Sequence, residues 1–351
     1  MSAMLNVHRR LKPLRRLVHR LRPGGAAKPY PDVVRLTPAD RKFLKTLHDD
    51  RTPLPEGAQG YLSRSNPRLR ELRAAYDDVD LPVCAPSRWH EGAVDLGVDL
   101  HFFRGDTMFM WQYRELPRIT ELKYFVFANY IAARDDLGLL ERLGEDGAFG
   151  CWTYRYEGRG AFSRDLLDSV NELLFLERQL SLSSRPGLSV IDIGAGYGRL
   201  GHRMTVAHPQ LADYCCLDAV PESTFLCEYY LRQRGCTPPA RAVPLHEVAA
   251  SLKPDSFDLG VNIHSFSEMP LAAVSWWIGL LADLRVPHLF LIGNDGDRLV
   301  SLEEDGCHES FSGVLHQAGY RLTVSEPVIQ DPAVRELLAL TDCFQLFALS
   351  G

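Results

Sequence analysis

The chain has 351 residues, a formal net charge of −6 and an apolar share of 46%. That is material for a large core, and the mildly acidic balance argues against nucleic acid as partner of the whole chain. No apolar run is long enough to span a bilayer, and the N-terminus lacks an apolar signal core ahead of a small-residue cleavage site. Eight scattered cysteines without a Cys-x-x-Cys pair fit a reduced, cytoplasmic protein with no structural zinc.

Residues 1–31 contain no acid but carry Arg9, Arg10, Lys12, Arg15, Arg16, Arg20 and Arg22, with Leu11, Leu14, Leu17 and Leu21 between them at helical spacing. Two readings stand: a flexible, solvated basic arm, or a surface helix touching anionic lipid at the inner face of the membrane. Pro13 weakens the helix and Pro23-Gly24-Gly25 ends it. A linker to Pro31 follows, then an expected helix over 36–50 with Thr37 as cap, and a Pro/Gly/Ser loop over 51–68. Aromatic and alternating residues crowd 94–113. A second helix is expected over 118–135, a hairpin over 149–162 with its turn at Glu157-Gly158-Arg159-Gly160, and a helix from Ser163-Arg164-Asp165 to about Leu180. Ser181 to Gly187 reads as a linker.

The pattern then becomes a regular alternation. Strands are expected at 188–193, 214–218, 240–245, 257–263 and 287–293, and helices at 197–207, 221–234, 270–284 and 304–318. The last two strands, 320–326 and 343–349, have no full crossover helix between them and must pair antiparallel. The expected fold is α/β: a class I methyltransferase, Rossmann-like sheet, parallel with a C-terminal antiparallel hairpin, plus a mostly helical N-terminal cap. The expected divisions are the arm at 1–31, a helical and hairpin cap with the substrate region at 32–185, and the cofactor domain at 186–351.

The most informative stretch is Leu188-Ser-Val-Ile-Asp192-Ile-Gly194-Ala195-Gly196-Tyr197-Gly198-Arg199-Leu200. A buried strand ends at an acid and opens into three alternating glycines before a helix. A dinucleotide fingerprint needs a small residue where Arg199 stands, so NAD and FAD are disfavoured. No Gly-Lys-Ser/Thr follows, which removes a P-loop. S-adenosylmethionine lacks a pyrophosphate, and glycines let the backbone approach its amino-acid arm closely. Asp218 ends the next strand about twenty residues later, where such folds place the acid that accepts the ribose hydroxyls. With Pro221-Glu222 following, Asp218 also suits a helix cap.

In a doubly wound sheet, ligands sit beyond the carboxyl ends of the strands. The strand over 257–263 therefore delivers Asn262 and the loop His264-Ser265-Phe266-Ser267-Glu268 to the site. Imidazole can accept a hydroxyl proton near neutral pH, which makes His264 the candidate base. Glu268 is the candidate to orient it or to bind a sugar hydroxyl. The competing reading is a capped loop. Asn294-Asp295-Gly296-Asp297 offers oxygen ligands for magnesium, though an Asx turn explains it more simply. Trp276-Trp277 lies inside a helix and reads as core or subunit contact. Trp111 and Tyr113 are candidate stacking groups for an acceptor, with ordinary packing as the alternative. Arg164 is a candidate to close over the ligand, or simply part of a helix start.

Four stretches together resemble a bacterial family of sugar O-methyltransferases: Ser163-Arg164-Asp165-Leu166-Leu167-Asp168-Ser169, the Asp192 to Arg199 turn, Asp218 to Leu226 with Glu228-Tyr229-Tyr230, and Asn262 to Glu268 with Trp276-Trp277. The resemblance runs from about residue 100 to the end. It implies an S-adenosylmethionine-dependent enzyme that methylates a hydroxyl of a sugar or glycan. The cofactor role carries over to Asp192, Gly194, Gly196, Gly198 and Asp218; Ala195, Tyr197, Ala219 and Asn262 join the set as their neighbours. Two alternatives stay open: a phenol or polyketide O-methyltransferase, and a catalytically silent scaffold in glycan assembly.

Overall fold

The computed structural model describes residues 54–350, apart from 85–87, 114, 116 and 157–159. The basic arm and the expected helix over 36–50 lie outside the described residues. Seven strands form one sheet: β1 Ser189–Ile193, β2 Asp213–Leu217, β3 Ala240–Val243, β4 Leu259–Ile263, β5 His288–Ile292, β6 Tyr320–Pro327 and β7 Cys343–Leu349. Their order is β3-β2-β1-β4-β5-β7-β6, with β1 to β5 parallel and β7 antiparallel to both neighbours. This is the expected class I methyltransferase layout. The order reverses direction at β1 and β4, the topological switch point where such sheets bind ligands.

Alternation along β1 builds both faces. Ile191 and Ile193 face one core, shared with Phe225, Tyr229 and Tyr230 of one helix and Trp277 of another. Val190 points the other way, with Leu166, Leu173, Leu200 and Met204. This is the period-two geometry of a strand buried on both sides.

The helices used below are α1 Pro67–Asp77, α2 Glu91–Gly97, α3 Pro117–Ala132, α4 Leu139–Leu143, α5 Arg164–Leu180, α6 Arg199–Ala207, α7 Pro221–Gln233, α8 Leu271–Asp283, α9 Ser312–Gln317 and α10 Pro332–Leu338. Ser163 caps α5 by accepting from the Leu166 amide at 3.0 Å, as its sequence predicts. Helix α1 was not expected. Its signal is Asn66-Pro67: the Asn66 side chain accepts from the Arg68 amide and Pro67 takes the first helical position.

Two expected elements are corrected. The hairpin over 149–162 reduces to one bridge between Tyr154 and Phe162, because Phe149 adopts a left-handed turn and the segment packs by its aromatic rings. The helix over 304–318 shortens to α9, and residues before it form a loop closed by a bridge between Val300 and Ser310. The crowded stretch 94–113 contains the end of α2 and then irregular chain along the sheet tips.

The N-terminal region shares its core with the sheet. Leu69, Leu72 and Val94 belong to the same apolar cluster as Ile191. Arg68 grips Glu228 through two bonds of 3.1 and 2.6 Å, and Arg73 reaches Glu222 at 2.7 Å. A buried ionic cluster also ties the cap to the sheet. Arg104 and Arg203 both bind Asp165 and Glu145, and the Tyr197 hydroxyl donates to Asp165 at 2.5 Å. Burial alone would push Asp165 up, but the guanidiniums of Arg104, Arg203 and Arg199 hold it well below the usual carboxylate range. The expected boundary at 186 therefore divides residues that pack together: Phe175 of α5 stacks on Phe290 of β5.

Candidate functional site

A cavity of 1390 Å³ opens at the carboxyl ends of β1, β2, β4 and β5. Its floor is the glycine turn. Gly194, Gly196 and Gly198 all have positive φ, at 71°, 58° and 84°. The Gly194 and Ala195 amides donate to the Leu217 carbonyl at 2.8 and 3.1 Å, which folds the turn onto the end of β2. A Cβ on Gly196 would come within 3.1 Å of the Phe109 ring, which roofs the turn.

Asp218 stands at the end of β2. Its Oδ2 accepts from the Gly196 amide at 3.0 Å and its Oδ1 from the Val220 amide at 2.9 Å. Asp218 thus lines the cavity and braces the residue ahead of α7, but it is not the helix cap: the N-cap is Val220, with no side-chain cap bond. Desolvation pushes its carboxyl up to about 7 against those bonds. Asp192 is 4% exposed and accepts from the Tyr214 hydroxyl at 2.8 Å. Burial raises it to about 7 as well.

Beside Asp192 lies a pair that sequence reasoning missed. Arg199 forks onto Glu172 through two bonds of 2.8 Å and also reaches Ser169. The residue whose bulk disfavoured a dinucleotide is thus a cavity-lining cation with a fixed partner. Burial pushes the Glu172 carboxyl up, and Arg199 pulls it back.

The fourth strand delivers the His264 loop to the cavity. His264 takes a left-handed conformation, φ 66°, and its amide donates to Ile292 at 2.7 Å. Such strain persists only where the surroundings impose it. Its Nδ1 is buried and has no hydrogen-bond partner. Asn262 does not line the cavity. Its amide donates to the Ile193 carbonyl at 2.8 Å and to the Ser265 hydroxyl, and its oxygen accepts from the Phe266 amide at 3.1 Å. Both ends thus brace the tips of β1 and β4. Tyr197 lines the cavity, but its hydroxyl is committed to Asp165 and its ring packs among Phe103, Phe109 and Tyr230. Ala195 and Ala219 line the cavity as expected.

Glu268 is not hydrogen-bonded to His264. Its carboxylate accepts from Arg88 at 2.9 Å and from the Trp89 indole at 2.7 Å, so it anchors cap residues over the cavity. The reason is topological: residues 88–89 arrive from far away in sequence and present stronger donors. Trp111 and Tyr113 both line the cavity, and Arg88 sits 4.6 Å from the centre of the Trp111 ring. Arg164 lines it too, paired with Asp168 at 2.7 Å and lying 5.0 Å from the Tyr113 ring. Trp277 is a core residue, 1% exposed.

The Asn294 to Asp297 loop forms a turn. Asp295 pairs with Arg298 at 2.8 Å, and Asn294 reaches the Glu268 carboxylate at 3.4 Å. Among the described residues no group of three or more His, Cys, Asp or Glu could hold a metal ion, and no helix is long and apolar enough to cross a membrane.

No family model matches the chain, and no curated protein does. Solved structures do resemble it. An S-adenosylmethionine-dependent methyltransferase from Mesorhizobium loti is 13% identical over 51% of this chain and 97% of its own, with a TM-score of 0.38. The magnesium protoporphyrin IX methyltransferase of Synechocystis, solved with bound SAM, is 14% identical over 65% and 97%, with a TM-score of 0.39. The mitomycin 7-O-methyltransferase is 17% identical over 52% of this chain and 57% of its own, with a TM-score of 0.37. Likenesses this distant leave the site to be read from its own geometry.

Proposed function

We propose that this chain is an S-adenosylmethionine-dependent O-methyltransferase that acts on a hydroxyl of a sugar or glycan. The observation that carries the reading is the meeting of three features in one cavity: a left-handed glycine turn, the Asp218 carboxyl group and the His264 imidazole. The residues fit the donor. Asp218, held by the Gly196 and Val220 amides, presents its carboxyl group at the cavity wall, where a ribose hydroxyl would donate to it. Glycine at 194, 196 and 198 keeps side chains off the turn's backbone at those positions, while Ser265 and Phe109 pack beside it, and Asp192 lies at its edge.

When bound, S-adenosylmethionine supplies a methyl group already activated by its positive sulfur. The chain's own work is to bind and orient. Holding an acceptor oxygen in line supplies about 7–11 kcal/mol of the barrier. The His264 imidazole, which lines the cavity, then takes the hydroxyl proton, a contribution of about 10²–10⁴-fold in rate.

Calorimetry with S-adenosylmethionine and S-adenosylhomocysteine, then product mass against a panel of glycosides, tests the reading. A gain of one methyl on a glycoside supports it. Donor binding without turnover on any acceptor supports the scaffold reading instead. In His264→Ala, turnover falls by about 10²-fold or more while donor affinity stays within about twofold; unchanged turnover removes His264 from the reaction. A phenolic acceptor is the second reading, favoured by Trp89, Phe109, Trp111 and Phe127 in the cavity wall. Contact of the basic arm with anionic lipid is proposed from sequence alone, and vesicle co-sedimentation of the full chain tests it.

A further inference from the structure

Glu268 lies on the loop that brings His264 to the cavity, yet its bonds run to residues 180 and 179 positions upstream. The Arg88 amide donates to the Glu268 carbonyl at 3.1 Å. The Arg88 guanidinium donates to Oε1 at 2.9 Å and the Trp89 indole to Oε2 at 2.7 Å. Three bonds thus fix two adjacent cap residues to one loop residue. The ion pair is largely shielded, with side chains 19% and 12% exposed. Bonds to a carboxylate are about twice as strong as neutral ones, and removing one partner of a shielded pair strands the other.

What Glu268 fixes is one end of an aromatic roof. The Trp89 and Phe109 rings pack with centroids 5.0 Å apart. Phe109 meets the Tyr197 ring edge-on at 5.7 Å, and a Cβ on Gly196 would come within 3.1 Å of it. An unbroken line of contacts therefore runs from the loop after β4, through Trp89 and Phe109, to the glycine turn after β1. It crosses the switch point of the sheet, and Trp89, Phe109, Glu268 and His264 all line the same cavity. A donor lying against the glycine turn meets the Phe109 ring there, and Trp89 backs that ring.

We infer that Glu268 is a positioning residue that sets donor affinity through Trp89 and Phe109. The inference rests on the methyltransferase reading and replaces the two roles its sequence position suggested for Glu268, orienting the imidazole and binding a sugar hydroxyl. Aromatic rings supply a large contact area for the few torsions that must be fixed. Rings already held in place cost the donor less on binding than rings it must order itself. Without the Glu268 carboxylate the indole and the guanidinium lose their common acceptor, and the roof is no longer preorganised.

Calorimetry with S-adenosylhomocysteine on the full chain tests this. Glu268→Ala and Trp89→Leu are each expected to weaken binding by about tenfold. The double variant is expected to be no weaker than the weaker single one, because both changes break the same contact. Glu268→Gln keeps an oxygen for the indole and is expected to recover affinity to within about threefold of the parent; it carries the test where Glu268→Ala fails to fold. In turnover on an accepting glycoside the loss falls on the donor KM. Affinity within twofold of the parent in Glu268→Ala, losses that add in the double variant, no recovery in Glu268→Gln, or a fall in kcat larger than the rise in donor KM each overturns the inference. Absence of heat with the parent removes the methyltransferase reading and this inference with it; heat with the parent and unchanged affinity in the variants removes the inference alone.

Discussion

Gly194→Ala perturbs the site at the point where backbone conformation and packing coincide. Gly194 has φ 71°, and a Cβ there would lie well inside 3.0 Å of both Ser265 Oγ and Ser265 Cβ. The left-handed conformation alone costs an L-residue about 1–2 kcal/mol. Ser265 must also move, although its hydroxyl accepts from the Asn262 amide and donates to the Ile193 carbonyl at 3.3 Å. Overpacking of this kind costs about 1–3 kcal/mol, and each disturbed bond adds about 0.5–1.5 kcal/mol. The expected loss is therefore about 3–8 kcal/mol, a large part of the stability of an ordinary domain, about 5–15 kcal/mol. Urea denaturation measures it, and titration with S-adenosylhomocysteine should show donor affinity lost as the turn shifts. Measured against Ser265→Gly alone, the double variant Gly194→Ala/Ser265→Gly removes the clash and should show only the conformational loss of about 1–2 kcal/mol. A single variant within about 1 kcal/mol of the parent, with unchanged donor affinity, would refute the reasoning.

Three further outcomes follow from the same site. Glu172→Gln leaves Arg199 buried without its carboxylate and is expected to cost about 3–5 kcal/mol, whereas Glu172→Leu with Arg199→Met should cost less; denaturant midpoints of both variants check this. Asp218→Asn removes a charged acceptor and should weaken donor binding by about 10–100-fold by calorimetry, with acceptor binding less affected. Asp192 is raised in the fold to about 7, so the folded protein holds its proton more tightly than the unfolded chain does. Its contribution to stability is fully present below about pH 4 and is lost as pH rises through about 7, at up to about 1.4 kcal/mol per pH unit. Asp192→Asn should flatten that slope in melting curves taken between pH 5 and 8, and an unchanged slope would contradict the assignment.

Local pattern determined much of this protein before any coordinates. Short, largely apolar runs alternating with helical patterns mark β1 to β5, and the short connection before Cys343 forces β7 to run antiparallel. The glycine turn and Asp218 were legible because each needs a residue type at a fixed offset: a left-handed conformation suits glycine, and a strand end projects its acid over the sheet edge. Ser163 as the cap of α5 was legible for the same reason. The hairpin over 149–162 was misread because its alternating aromatics pack against one another instead of forming a ladder.

Tertiary structure decided which side chains meet. Glu172 and Arg199 lie on different helices, and Glu268 and Trp89 lie 179 residues apart, so no spacing announces either pair. Tyr113 reads in sequence as a stacking candidate; only the fold brings Lys123 and Arg164 to its ring. Short-range periodicity and turn chemistry act within a few residues and are written in the chain. The bonding of a buried polar group depends on every neighbour that excludes solvent from it, and those neighbours are chosen by the fold as a whole.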